Sequence, residues 1–445
     1  MREVGSSNLP APIGFPPLRR QKGGNPAFFC ICLEVQELPC CKHSTVLLIV
    51  QSVNTRRTLS QIVALTIAAS EMSTATVAAP LRPCVRIVLT VFANGTDLTI
   101  TGNPLEYLTT LNAWSPTAQQ PFVGMSSLSS TIPSDAALPL RVRSGESGIV
   151  QIAQGAAARS YRGTITLSMS PRLHILNELS VESYLRGVVP AEMPSSFPPE
   201  ALKAQAVAAR SYALANHGKH KAQDADLCDT EHCQAYLGAT RERTTTDSAI
   251  ADTAGMILLA GNAVLSAQYS SDCGGVSAVL PPFGTESAHA DADDSGLAYC
   301  SDAPWHTWTF TATQVELLKA AKETRQTPIR KITILERDNS GRVRKLRLTH
   351  DFGESDMTAE SLRRALGNMK LRSRLFELAA NPVTGDIIFT GRGNGHGCGL
   401  CQWGAKSMAS TPNSKDFHSI LQHYYPGATL STMDHARNLS SDLLN

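Results

Sequence analysis

Nothing in this 445-residue sequence supplies the uninterrupted run of about 18 apolar residues that a membrane-spanning helix needs, because Arg56 and Arg57 split the apolar stretches Val46–Val53 and Ile62–Ala69. Charge of one sign is scarce too. Lys and Arg number 40 against 38 Asp and Glu, a net +2, and no basic block is interleaved with the few aromatics, 6 % of the chain. A phosphate-binding surface needs such a block, so nucleic acid is not an expected partner. The low hydrophobicity and high net charge of a disordered chain are missing as well: 42 % of residues are hydrophobic and 18 % charged, which describes a globular protein. The length suggests two or three domains. Cysteine is present without being dense enough for a disulfide scaffold, and its total of 11 is odd, so disulfides alone cannot use every thiol.

Residues 1 to 82 mix Pro, Gly, Cys and short apolar runs without periodicity and are assigned no fold; they read as disordered or as a mis-called start, with Met72 one candidate start. The stretch around residues 58–70 resembles the apolar region of a secretory signal but begins about sixty residues into the chain. From Val85 onward β-branched runs take over. Val85–Phe92 and Leu98–Thr101 flank Asn94-Gly95, a hairpin signal, and Gly148–Ile152, Gly163–Leu167 and Leu173–Asn177 follow. Thr110 to Pro139 reads as a long Ser/Thr/Pro-rich loop. Pro198-Pro199-Glu200 then opens an Ala-rich helix to Asn216, with Leu202, Ala206, Ala209 and Ala213 as its apolar stripe and Lys203 and Arg210 seven residues apart on a shared cationic face. Further strands at Ala263–Tyr269 and Arg330–Leu335 alternate with helical patterns around Ala312–Glu323 and Thr358–Gly367. The expected fold is mixed α+β, a strand-rich N-terminal lobe and a helix-containing lobe enclosing a cleft. The tail after about Tyr425 is polar and expected to fray.

The chemistry gathers between the strands and the Ala-rich helix. Glu192 is read in a turn ahead of that helix, flanked by Pro190, Met193 and Pro194. Desolvation there would raise its pKa and the helix N-terminus would lower it, so the sign stays open, and a plain capping role is an even alternative. Three blocks resemble the stage II sporulation protein D and amidase-enhancer family of bacterial cell-wall proteins: Tyr184 through Glu192-Met193-Pro194 to Ala213, Ser270-Ser271-Asp272-Cys273-Gly274-Gly275, and Gly391 through Ala405. They keep the family's order over residues 83–430, leaving 431–445 as a tail. The resemblance implies a lytic transglycosylase with Glu192 as catalytic acid and base, Lys203 and Arg210 orienting it or binding substrate, and Tyr212, Ser270, Ser271, Arg392, His396 and Gln402 contacting glycan. It also implies peptidoglycan strands as substrate, a cell-envelope location outside the cytoplasm, and, as the rival role, a non-catalytic enhancer of a cell-wall amidase. A solvated helix face remains the plain alternative for Lys203 and Arg210, and a structural turn for the glycines.

Cys228, His232 and Cys233 lie within six residues and suit Zn²⁺ by donor type, with His220 preferred to His217 as the fourth ligand. Some family members hold a zinc through a matching cluster; here it would be structural, with no cofactor needed for the chemistry. A Cys228–Cys233 disulfide is the alternative. A metal-dependent hydrolase centred on these residues is a weaker reading, since four such ligands leave no open position. The family pattern has aliphatic and hydroxyl residues where Cys398 and Cys401 stand, which leaves a disulfide, a metal role or inert thiols open, and Cys273 and Cys300 are a candidate disulfide.

Overall fold

The computed structural model describes residues 83–439 apart from 93–97, 118–121, 124–135, 146–147, 170–172, 279–288, 323–326 and 411–413, all within the unit Val77–Asn445. The signal-like stretch, the first 82 residues and the Asn94-Gly95 turn lie outside the described residues. The fold is mixed α+β, as expected. The β-branched runs build a seven-stranded sheet in the order Leu227–Cys228, Cys84–Val88, Leu173–Ser180, Thr164–Met169, Leu140–Arg143, Glu106–Leu108, Trp114–Pro116. Alternation sets its inner face: Val85 and Ile87 are buried while Arg86 between them is not. A four-stranded sheet of Phe122–Val123, Thr99–Thr101, Val150–Gln154 and Ala157–Tyr161 shares the same core. The two runs that flank Asn94-Gly95 do not pair with each other: Cys84–Val88 pairs with Leu173–Ser180 in the seven-stranded sheet, and Thr99–Thr101 with Val150–Gln154 in the four-stranded one, Ile100 opposite Ile152, both buried. Two short strands, Trp114–Pro116 and Phe122–Val123, also interrupt the stretch read as one long loop.

Helix α1, Val181–Glu192, follows the strand directly; Ser180 caps it, accepting from the Ser183 N–H at 3.3 Å. By sequence this segment reads as the end of a strand-like run entering a turn, and Gly187, Val188, Val189 and Pro190 are poor helix formers. Burial overrides that preference: Val181, Tyr184, Leu185 and Val188 form one apolar face that packs into the β core. Helix α2, Pro199–Ala215, is the expected Ala-rich helix. Its small side chains let it bury on two faces, Ala206, Ala209 and Ala213 against the β core, and Leu202, Ala204, Val207 and Ala208 against a second core. Arg210 is fully buried rather than on a solvated cationic face.

Helix α3 is Thr244–Asp252. Helices α4 (Gln314–Ala321) and α5 (Ala359–Leu366) appear where their patterns lie, each capped by a threonine, Thr313 and Thr358. With strands Thr307–Ala312, Ile329–Arg337, Val343–His350, Phe376–Ala380 and Ile387–Arg392 they enclose a third core in addition to the two expected lobes. The stretch Ala263–Tyr269 is strand only at Ala263–Val264 and from Tyr269 to Ser270. Helices α6 (Gln402–Ser410) and α7 (Phe417–Tyr424) complete the second core. The tail is corrected through residue 439: Thr429–Thr432 pairs with Met256–Leu259, and helix α8, Met433–Leu439, buries Ala436. Cys273 and Cys300 are free thiols, as are Cys228 and Cys233.

Candidate functional site

Glu192 is the last residue of α1, so it sits at the negative end of that helix, not at a helix N-terminus. Desolvation dominates and pushes its carboxyl up to about 7; the Glu231 carboxylate adds to the rise, and the Ala235 N–H, donating to Oε1 at 2.6 Å, opposes it. The sign that local sequence left open is therefore upward. Around it lies a buried polar clamp. Tyr184 donates to Gln234 Oε1 at 3.2 Å, and the Gln234 amide donates to the Tyr269 hydroxyl at 2.8 Å and to the Ala209 carbonyl at 3.2 Å. Burial, with the Glu192 charge adding to it, keeps the Tyr184 and Tyr269 phenols protonated well past their ordinary range.

The loop that supplies Ala235 also carries the Cys/His cluster. Single ligand atoms of His220, Cys228, His232 and Cys233 all lie within 4.8 Å of one another. Cys233 Sγ is 3.3 Å from His220 Nε2 and 3.6 Å from His232 Nδ1, and Cys228 Sγ is 3.7 Å from that same nitrogen. This donor set could hold a metal ion. His217 stands apart, paired with Asp226 at 3.2 Å. Three devices fix the loop: Cys228 ends a strand paired to Ile87–Val88, Asp229 accepts from the Thr90 N–H and hydroxyl at 2.9 and 2.6 Å, and Lys219 bridges the His232 carbonyl and the Tyr212 hydroxyl at 3.1 and 3.0 Å.

Two expected companions of Glu192 are occupied elsewhere. Lys203 pairs with Glu200 at 2.9 Å and Asp252 at 3.3 Å. Arg210 binds Glu182 through two nitrogens, both at 2.8 Å, and the Met256 carbonyl at 3.0 Å. Neither cation is brought to the carboxylate; Arg210 instead ties α2 to α1, the helix that ends in Glu192.

A stage II sporulation protein family model matches residues 170–259, the stretch that holds strand Leu173–Ser180, α1, α2 and the Cys/His loop. Stage II sporulation protein D of Bacillus amyloliquefaciens is 30 % identical over 286 residues, 59 % of this chain and 77 % of that protein. This chain belongs to the stage II sporulation protein D family. The amidase enhancer of Bacillus subtilis is 28 % identical over 294 residues, 56 % of this chain and 40 % of that protein. An uncharacterised protein of Brachyspira hyodysenteriae is 29 % identical over 272 residues, 61 % of this chain and 72 % of that protein. A second model, for a domain of unknown function, matches residues 298–399.

The remaining family-implied residues divide. In this sporulation-family chain, His396 is set near the clamp: its ring contacts the Tyr269 main chain, while desolvation and then Arg342 and Arg363 drive its pKa down to about 4, leaving it neutral. Tyr212 belongs to the Lys219 bridge. Ser270 is buried and accepts from the Gly397 N–H at 3.2 Å, the Ser271 carbonyl accepts from the Trp403 N–H at 3.1 Å, and Gln402 is buried against Gln205 at 3.3 Å. These three brace the Gly-rich loop. Arg392 is exposed at the end of its strand. The glycines of that loop are demanded by packing: Gly393, Gly395, Gly397 and Gly399 have φ of +80°, +115°, +76° and +65°, and a Cβ on each would strike Asp272, Ser270, Arg342 and Gln268 respectively. Gln234, Ala235 and Lys219 are absent from the sequence-derived site. Gln234 is an isolated polar residue in a loop, and only its burial at 1 % exposure marks it.

Proposed function

We propose that this protein is a lytic transglycosylase of the bacterial cell envelope, cutting the glycan strands of peptidoglycan with Glu192 as its acid and base. The observation that carries the reading is the Glu192 carboxyl, moved to about 7 by desolvation at the end of a rigid helix. A group that must give a proton and then take one works best with a pKa near the operating pH. The Ala235 N–H holds Oε1 and leaves Oε2 for substrate. The Glu192 proton passes to the glycosidic oxygen as its bond to C1 breaks; the carboxylate then takes the proton of the same sugar's C6 hydroxyl, and O6 closes on C1 as an anhydro ring. Water and a second carboxylate are not required, unlike ordinary glycoside hydrolysis.

Zinc suits the Cys/His cluster: tetrahedral bond lengths give ligand separations of about 3.4–3.8 Å, and the Cys233–His220, Cys233–His232 and Cys228–His232 separations are 3.3, 3.6 and 3.7 Å, with every pair within 4.8 Å. Four protein ligands close its shell, so bound zinc would supply a cross-link rather than an activated water. The residues do the rest. Ala235, two positions beyond Cys233, holds Glu192 in place, so the cluster positions the acid through its loop.

A second reading, an enhancer that binds wall glycan and stimulates a separate amidase, is favoured by one observation: Lys203 and Arg210 do not reach Glu192. Mass spectrometry of soluble products from peptidoglycan, with the full chain beside Glu192→Gln, separates the two. Anhydro-muramoyl ends from the unmodified chain alone are the expected result. Reducing ends would indicate hydrolysis with water, and no release with glycan binding retained would replace the enzyme by the enhancer.

A further inference from the structure

A second group of metal-type ligands lies in the core shared by α2, α6 and α7, independent of the Glu192 reading. Asp272, Cys273, Cys300 and Cys401 are each 0–1 % exposed, and one ligand atom from each falls within 4.8 Å of all the others. The Cys273 and Cys300 sulfurs are 3.6 Å apart, the edge of a tetrahedral site with metal–sulfur bonds of about 2.3 Å. The segments converge from distant parts of the chain: Asp272 and Cys273 follow strand Tyr269–Ser270, which pairs with Leu400–Cys401, and Cys300 precedes strand Thr307–Ala312.

The carboxylate is what a disulfide would leave unexplained. Asp272 Oδ1 accepts from the Gly274 N–H at 2.8 Å, but Oδ2 is buried with no hydrogen-bond partner, the His306 Nδ1 standing off at 3.5 Å. A buried carboxylate oxygen without a partner is costly. A Cys273–Cys300 disulfide would leave that oxygen and the Cys401 thiol stranded in the core, whereas a cation uses all four ligands. Cys273 Sγ donates to Asp291 Oδ2 at 3.0 Å, a bond given up when the thiol loses its proton to a cation; Asp291 is then held by Tyr424, which donates to it at 2.9 Å, and by His423 Nε2 at 3.0 Å. Arg342 donates to the carbonyls of Cys273 and Val276 at 2.6 and 3.0 Å, which puts a fixed positive charge beside the thiolates.

We propose that Asp272, Cys273, Cys300 and Cys401 form a structural metal site for a thiophilic divalent cation, zinc by donor type. On binding, the three thiols release their protons to solvent, and the ion clamps the Gly-rich loop that ends at Cys401 to the Ser270–Gly275 segment.

The test is metal content by plasma mass spectrometry on the full chain purified with zinc. A Cys228→Ser/Cys233→Ser variant, lacking the first cluster, should keep about one equivalent, and adding Cys300→Ser should remove it. Should the triple variant fail to fold, the double variant loaded with cobalt should show an intense near-ultraviolet sulfur-to-cobalt band. Metal content unaffected by Cys300→Ser, a cobalt form without that band, or a Cys273–Cys300 disulfide peptide recovered from metal-replete protein would each overturn the proposal. Loss of metal only on changing Cys228 and Cys233 would assign all the zinc to the first cluster.

Discussion

Glu192 concentrates what single residues contribute. Its folded pKa of about 7 stands above the ordinary value of 4.5, so between those pH values the folded state holds a proton that the unfolded chain has released. Stability is then fully present below about pH 4.5 and lost as pH rises through about 7, on the order of 3 kcal/mol in all. Thermal unfolding of the unmodified chain should weaken from pH 5 to pH 8 relative to Glu192→Gln, whose amide oxygen still accepts from Ala235; parallel profiles would refute the raised pKa. Glycan release should fall as pH climbs past about 7, where the acid loses its proton, and Glu192→Gln should lose about 100-fold or more. Lys203→Ala separates the family-implied role from the observed one. Its ion pairs are largely solvated, so the change should cost under about 1 kcal/mol and leave the product pattern intact.

Elements matter through the way α1 and α2 lock together. Arg210 is fully buried on α2 and its fork is filled by Glu182 of α1, so Arg210→Ala should destabilise the chain by about 3 kcal/mol in denaturant titrations. Arg210→Lys should recover only part, because an ammonium cannot reproduce the two-nitrogen contact. At a temperature where the variant is still folded, the pH midpoint of activity should not move, which a direct catalytic role would not permit. The Gly-rich loop gives a paired comparison. Gly399→Ala places a methyl against the Gln268 carbonyl at a positive φ, whereas Gly261→Ala has a similar φ of +58° and open space. The first should cost about 2 kcal/mol more than the second.

At the scale of the whole molecule, the last described strand and helix tie the end of the fold back to its earlier parts. Thr429–Thr432 pairs with Met256–Leu259, the strand next to α2 in the chain's central packing, and Ala436 enters the β core. Ending the chain at Ala428 should therefore lower the thermal midpoint by several degrees and expose the edge of Met256–Ala260. Chelation tests the proposed zinc at the same scale: if it frees the loop that carries Ala235, the unfolding midpoint should fall, and withdrawing the N–H that holds the Glu192 carboxyl down should move its titration point further up, a shift that general destabilisation would not produce.

The sequence by itself determined the β-rich beginning, the Ala-rich helix and the helical patterns around Ala312–Glu323 and Thr358–Gly367, because each rests on local period and propensity, and donor type alone singled out Cys228, His232 and Cys233; Glu192 stood out through the family resemblance, since its local sequence suited a capping role equally well. Tertiary structure decided the rest. The Val- and Pro-containing segment before Glu192 became a helix because its apolar face had a core to enter, and this reversed which helix end the carboxylate sees. Lys203 and Arg210 share a helix face by spacing, yet only the partners folded against them, Asp252 and Glu182, show that neither pairs with Glu192. Likewise, Gln234 and the Asp272–Cys401 cluster depend on contacts between residues up to 128 positions apart, information that no local window holds.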